Sequence, residues 1–165
     1  MVKNKHLLVI WPQFVNKEEQ ICDIIRKEGG FLIYINRFVI TECVLVLIVE
    51  KLYEHSEYEK NRIKNKTQNL LKYIKNGLVV ICFTFDDGEK TWSDERKKYI
   101  YKKVLSLKQR IRDSVDAFAQ YETIHMTDDE EEFNHDISMI STVLEKENEY
   151  IDSSQIVNND SVFRN

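Results

Sequence analysis

Cysteine is scarce in this 165-residue chain: Cys22, Cys43 and Cys82 stand far apart inside apolar segments. An odd number without paired spacing argues against a disulfide framework and against a structural zinc site, and leaves buried reduced thiols in a cytosolic protein as the expectation. Long apolar runs are missing as well. The longest, CVLVLIV at Cys43–Val49, is far below the roughly 20 residues that span a bilayer. The N-terminal run HLLVI is too short for a signal peptide and is closed by Pro12, the one proline of the chain. Positive charge is not in surplus either. A net charge of −4 gives no general attraction to nucleic acid or to an anionic membrane, and no internal repeat is visible. A soluble, cytoplasmic protein without membrane contact is expected.

What is present suffices for one domain. Hydrophobic residues make up 42% and charged residues 32% of the chain, a soluble globular composition somewhat rich in charge. Residues 1–149 read as one domain. The polar, aperiodic stretch 150–165 reads as a loose C-terminal tail. Along the domain, His6–Ile10 reads as a buried strand closed by Trp11-Pro12. A helix follows, with Asn16 as its cap, an Ile21/Ile24/Ile25 stripe and a stop at Gly29-Gly30. FLIYINRFVI is a second strand. ECVLVLIVEKLYEH begins with strand formers, but Val49, Leu52 and Tyr53 continue at helical spacing, so it is read as a helix capped by Thr41. A polar link and a short helix lead to Gly77, and LVVICFTF is the clearest strand. A long basic helix is expected from Ser93 towards Asp113, then a strand over Tyr121–His125, then an acidic-ended helix carrying Phe133, Ile137, Ile140, Val143 and Leu144. The order β-α-β-α-α-β-α-β-α predicts a ferredoxin-like α+β sandwich, a four-stranded antiparallel sheet with helices packed on one face.

At this point the sequence resembles the nucleoside diphosphate kinases, from His6 to about Val143. HLLVIWPQFV is similar to that family's opening strand and its Lys-Pro-Asp turn. RKEGGFLIYINRFVI is similar to its helix, Gly-Phe junction and second strand, and EKLYEH to the end of its next helix. LLKYIKNGLVVICFTFDDG resembles its helix–Gly–strand–Gly element. RIRDSV and YETIHMTDD resemble its Ile-Arg-Gly-Asp and Ile-His-Gly-Ser-Asp motifs, and the thirteen residues from Arg112 to His125 match the spacing. The resemblance implies that His125 is a phosphate-accepting nucleophile, with Asp136 as the helical acidic residue beside it. It further implies that Arg112, Arg96 (with a one-residue gap), Thr127 in place of a serine, and His55 contact the nucleotide. A nucleoside di- or triphosphate would be the substrate, Mg²⁺ would arrive with it, and the chain would form a homo-oligomer.

The departures are chemical. Trp11 stands at the family's turn lysine, Gln13 at its aspartate, Met126 at the glycine after the histidine, and Glu122 at an asparagine. The glycine-rich loop before Arg112 is replaced by YIYKKVLSLKQ, which reads as helix, and the base-covering aromatic falls near Lys64 and Lys66. The loss of one charge stabiliser is worth about 10²–10³-fold in rate, so a catalytically silent domain used for binding or assembly is the alternative. If the site is merely weakened, the pair Trp11→Lys and Glu122→Asn is expected to raise transfer by about two orders of magnitude. Taken one at a time, the features are bland. His55 and His135 read as solvated helix residues, Asp128–Glu132 as a helix start favoured by the dipole, and Arg96–Arg112 as a solvated basic face without nucleic-acid-reading aromatics. His125, Asp128 and His135 have no recognised metal-ligand spacing, and no metal site is expected.

Overall fold

A computed structural model describes residues 3–54, 60–116, 118–146 and 155–156. The chain runs as β1 (Asn4–Ile10), α1 (Glu18–Lys27), β2 (Phe31–Phe38), α2 (Glu42–Leu52), α3 (Lys60–Leu71), β3 (Leu78–Phe85), β4 (Lys90–Ser93), β5 (Lys98–Tyr101), α4 (Lys102–Val115), a single helical turn α5 (Gln120–Thr123), β6 (Ile124–Met126), α6 (Glu130–Lys146) and β7 (Gln155–Ile156). Four antiparallel strands lie in the order β6-β1-β3-β2, with the two-residue β7 pairing on the outer side of β2 at Asn36 and Arg37. This is the expected ferredoxin-like α+β sheet.

The helices cover both faces of the sheet, not one. Alternate residues of β1 divide between two cores: Leu8 and Ile10 pack with α1 (Ile21, Ile25) and α4 (Val104, Leu107, Ile111). Leu7, Val9 and Trp11 pack with α2 (Val44, Leu45, Ile48), Leu70 of α3 and α6 (Ile140, Val143, Leu144). A strand buried on both sides has no polar face to show, which is why β1 and β3 read as unbroken apolar runs.

Cys43–Val49 is helical despite its β-branched residues. Thr41 Oγ1 accepts from the Val44 N–H at 3.2 Å, and Val44, Leu45, Ile48 and Val49 are buried along one stripe, so capping and core burial outweigh strand propensity. Other expectations are corrected. Asn16 does not cap α1; it lies in a 3-10 segment, Pro12–Lys17, that Pro12 opens. The basic helix begins at Lys102 rather than Ser93. Before it β4 and β5 form a hairpin that pairs Trp92 with Tyr99, and Lys97 turns the chain at φ 55°. Aromatic and β-branched residues on facing strands favour a ribbon there. The strand expected over Tyr121–His125 is Ile124–Met126, with Gln120–Thr123 wound into a helical turn before it. Cys43 is exposed, whereas Cys22 and Cys82 are buried; all three thiols are free. His55 and most of the tail 150–165 lie outside the described residues.

Gly77 fixes the entry to β3. Its φ is 79° with ψ −164°, a region that essentially only glycine occupies. A Cβ there would lie 2.4 Å from the Phe38 carbonyl oxygen. Gly77→Ala is therefore expected to destabilise by at least about 1–3 kcal/mol from the backbone alone, read as a fall in Tm by thermal denaturation. An unchanged Tm would show that the β2–β3 junction yields without strain.

Candidate functional site

β6 is short, but it is held by its neighbours. Val9 pairs with His125, Leu8 with Met126 and Ile10 with Ile124, and the Thr127 N–H donates to the Leu7 carbonyl at 3.0 Å. Ile124 and Met126 point into the α1/α4 core. His125, between them, is thereby turned to the opposite face, towards α6. Its imidazole is buried, one edge-on contact away from the Tyr53 ring (centroids 5.6 Å apart, planes at 84°).

Asp136 of α6 meets the imidazole. His125 Nε2 lies 2.8 Å from Asp136 Oδ2, and the carboxylate is itself buried. Its second oxygen, Oδ1, lies 2.8 Å from His135 Nδ1, and that hydrogen bond pushes the His135 imidazole up from its ordinary range. Asp129 accepts from the Glu132 N–H at 2.8 Å, which caps α6 and fixes where its acidic first turn begins. Glu132, one turn before Asp136, lies 3.8 Å from His125 Nε2. Burial, and then the Asp128 carboxylate, push Glu132 up towards its neutral form, which softens its repulsion of any incoming anion.

An acceptor fixed on Nε2 holds the tautomer with hydrogen there, so the lone pair for attack is on Nδ1. The same group has a second chemical capacity. Donor atoms of His125, Glu132 and Asp136 all lie within 4.8 Å of one another, a nitrogen–oxygen set of the kind that takes a divalent ion. Among the described residues this is the grouping that comes together, not His125 with Asp128 and His135.

The cations arrive from two directions. Arg96, at the turn of the β4–β5 hairpin, lies 4.0 Å from Asp128, Lys98 lies 3.8 Å from it, and Lys108 of α4 bonds to it directly. Burial pushes Asp128 up, but Lys108, with Lys98 and Arg96, outweighs it and leaves the carboxyl below its usual range. Arg96 is thus aimed at Asp128, three residues after the histidine. Arg112 lies in the last turn of α4, where its charge reaches both Lys108 and Lys66 of α3. With Arg96, Lys108 and Arg110 it lines an open depression of about 810 Å³, which His125 does not line.

Thr127 is placed inside the sheet edge. Fully buried, its hydroxyl accepts from the Leu7 N–H at 3.0 Å and lies 3.2 Å from His6 Nδ1. The other His6 nitrogen lies 2.6 Å from Asp87, whose second oxygen accepts from the Asn4 amide. These bonds make Thr127 a fastener of β6 rather than a group held out to a ligand. Sequence reasoning missed this network, and it missed Glu132, although the four-residue step from Glu132 to Asp136 puts both on one helix face. It also missed Lys66, which falls in a polar link, and the part played by Tyr53, which reads only as the last position of a helical stripe.

No family model matches the sequence, and no curated protein matches it. Solved structures do. The nucleoside diphosphate kinase of Aquifex aeolicus superposes with TM-score 0.53 at 14% identity, over 84% of this chain and 95% of that one. The enzyme of Halobacterium salinarum, solved in complex with CDP, gives 0.52 at 12% identity over 99% and 98%. The kinase of Pyrobaculum aerophilum gives 0.50 at 12% over 84% and 95%. The fold of this chain is the nucleoside diphosphate kinase fold, carried by a sequence only 12–14% identical to those enzymes. No helix among the described residues is long and apolar enough to cross a membrane.

Proposed function

We propose that this protein binds the phosphates of a nucleoside di- or triphosphate beside His125 and accepts a phosphoryl group on that histidine. One observation carries the reading: the buried His125 Nε2–Asp136 pair at 2.8 Å, which presents Nδ1 as the nucleophile. In the step, the Nδ1 lone pair attacks the terminal phosphorus in line. A P–N bond forms, the P–O bond to the leaving nucleoside diphosphate breaks, and the bridging oxygen departs with its electron pair. Mg²⁺ carried on the nucleotide would offset charge on the phosphates. Asp136 compensates the positive charge that develops on the ring. Arg112 supplies a fork for phosphate oxygens, and Arg96 joins it if an anion draws it from Asp128. Return to a second nucleoside diphosphate reverses the step. A homo-oligomer and a cytoplasmic location belong to the same reading.

The test is incubation with γ-labelled ATP and Mg²⁺, followed by recovery of acid-labile, base-stable phosphate on the full chain. Arg112→Ala is expected to weaken ADP binding by about 1.5–3 kcal/mol, the range of a hydrogen bond to a charged group, measured by calorimetry. Unchanged affinity would remove Arg112 from the site.

A second reading, a silent domain of the same fold serving in binding or assembly, has its own observation. Trp11 is fully buried where the resemblance places a lysine, and its Nε1 has no hydrogen-bond partner among the described residues. A folded chain that neither binds ADP nor gains phosphohistidine would establish it.

A further inference from the structure

We infer that Lys66 is a phosphate-contacting cation of this site, reaching it from α3 and forming with Arg112 a two-cation clamp on the polyphosphate of the ligand. The inference rests on the phosphate-binding reading above and adds a residue that neither the motifs nor the spacing indicated.

The geometry is specific. Lys66 Nζ lies 5.3 Å from the centroid of the Trp11 ring and 5.1 Å from that of Tyr53, so two aromatic faces seat one ammonium group. Tyr53 in turn meets His125 edge-on at 5.6 Å, so a single ring separates the ammonium from the imidazole.

The electrostatics point the same way. Burial, and then the Arg112 guanidinium, push the Lys66 amine down to about 8, while Glu122 acts in the opposite direction. Glu122 accepts from the Asn69 amide at 2.7 Å, one turn further along α3, which keeps it beside the lysine. The like charges of Lys66 and Arg112 repel, and an anion held between them would relieve that repulsion. Phosphate oxygens would be contacted by the forked guanidinium from one side and the compact ammonium from the other.

Among the described residues, the groups facing Lys66 include Arg112 from α4, Glu122 from α5, Tyr53 from the end of α2 and, beyond that ring, His125. Its charge is present below about pH 8 and is lost above it. Anion affinity should therefore fall as pH rises through 8, unless the lysine is replaced by a group that stays charged.

The experiment measures binding of ADP and of inorganic tripolyphosphate to the full chain, as wild type, Lys66→Met and Lys66→Arg, from pH 7 to 9.5. Lys66→Met keeps an apolar stem over the two rings. It is expected to weaken both ligands about tenfold to hundredfold, the range of one hydrogen bond to a charged group. Lys66→Arg is expected to retain affinity and to flatten the fall above pH 8. Wild-type affinity in Lys66→Met overturns the assignment. So does a loss confined to ADP, which would move Lys66 from the phosphates to the nucleoside. If Lys66→Met fails to fold, the Arg variant decides: an unflattened pH profile overturns the inference. A wild type that binds neither ligand is the separate failure, that of the phosphate-binding reading itself.

Discussion

Replacing His125 by alanine is expected to abolish acid-labile phosphate on the chain after incubation with γ-labelled ATP. Among the described residues His125 is the imidazole with a buried carboxylate on one nitrogen and no hydrogen-bond partner on the other. His6 has both ring nitrogens engaged, by Asp87 and by Thr127, and is fully buried. His135 is tied through Nδ1 to Asp136 and sits at the protein surface. The substitution also tests how the site is built. A surface strand-end histidine would contribute within about ±0.5 kcal/mol, but this one is buried and satisfies one oxygen of Asp136. Its removal should cost about 1–3 kcal/mol for the acceptor left behind. His125→Gln, whose amide can still donate towards Asp136, is expected to recover much of that stability with no phosphorylation. Phosphate that persists in the alanine variant would place the chemistry elsewhere and end the histidine mechanism.

How much of this was legible in the sequence depends on how locally each feature is encoded. The strands β1 and β3 and the helix α6 are announced by contiguous apolar runs or by an acidic first turn, and they stand where they are expected. The pairing of His125 with Asp136 is legible only through the resemblance, because eleven residues separate them and a strand-to-helix corner intervenes. The β4–β5 hairpin was hidden by its lysines, which suit a basic helix as well as an exposed ribbon. Only the cross-strand partners Trp92 and Tyr99 decide between the two. Covering of both sheet faces was not legible at all, since an apolar run says that a strand is buried but not by what. Lys66 lies at the far limit. A lysine in a polar stretch carries no signal, and it acquires meaning only when folding lays it across two rings contributed by residues 13 and 55 positions away.

The Trp11→Lys exchange is where sequence and structure give opposite expectations. By the resemblance it restores a cation, and it should speed transfer. In the structure the Trp11 side chain is fully buried among Leu7, Val9 and the apolar residues of α2, α3 and α6. The backbone N–H of the same residue donates to the Thr123 carbonyl at 3.2 Å just before β6 begins, so a displaced residue 11 disturbs that entry as well. Removing a buried tryptophan ring costs about 3–5 kcal/mol, and an ammonium group placed in that apolar setting adds a desolvation penalty. A fold of this size has only about 5–15 kcal/mol in hand. Trp11→Lys is therefore expected to lower Tm by about 6–20 °C, taking about 2–4 °C for each kcal/mol, and to lower phosphohistidine formation with it. It would also strip Lys66 of one of its two aromatic seats and set a second ammonium against the first. Glu122→Asn does not rescue this, because it removes the carboxylate that attracts Lys66 and accepts from Asn69. Trp11→Phe, which keeps an aromatic face under the ammonium, is the control and should lose far less. A Trp11→Lys protein of unchanged Tm and hundredfold faster transfer would show that the turn holds an open cation slot, and that the site needs no lysine from α3.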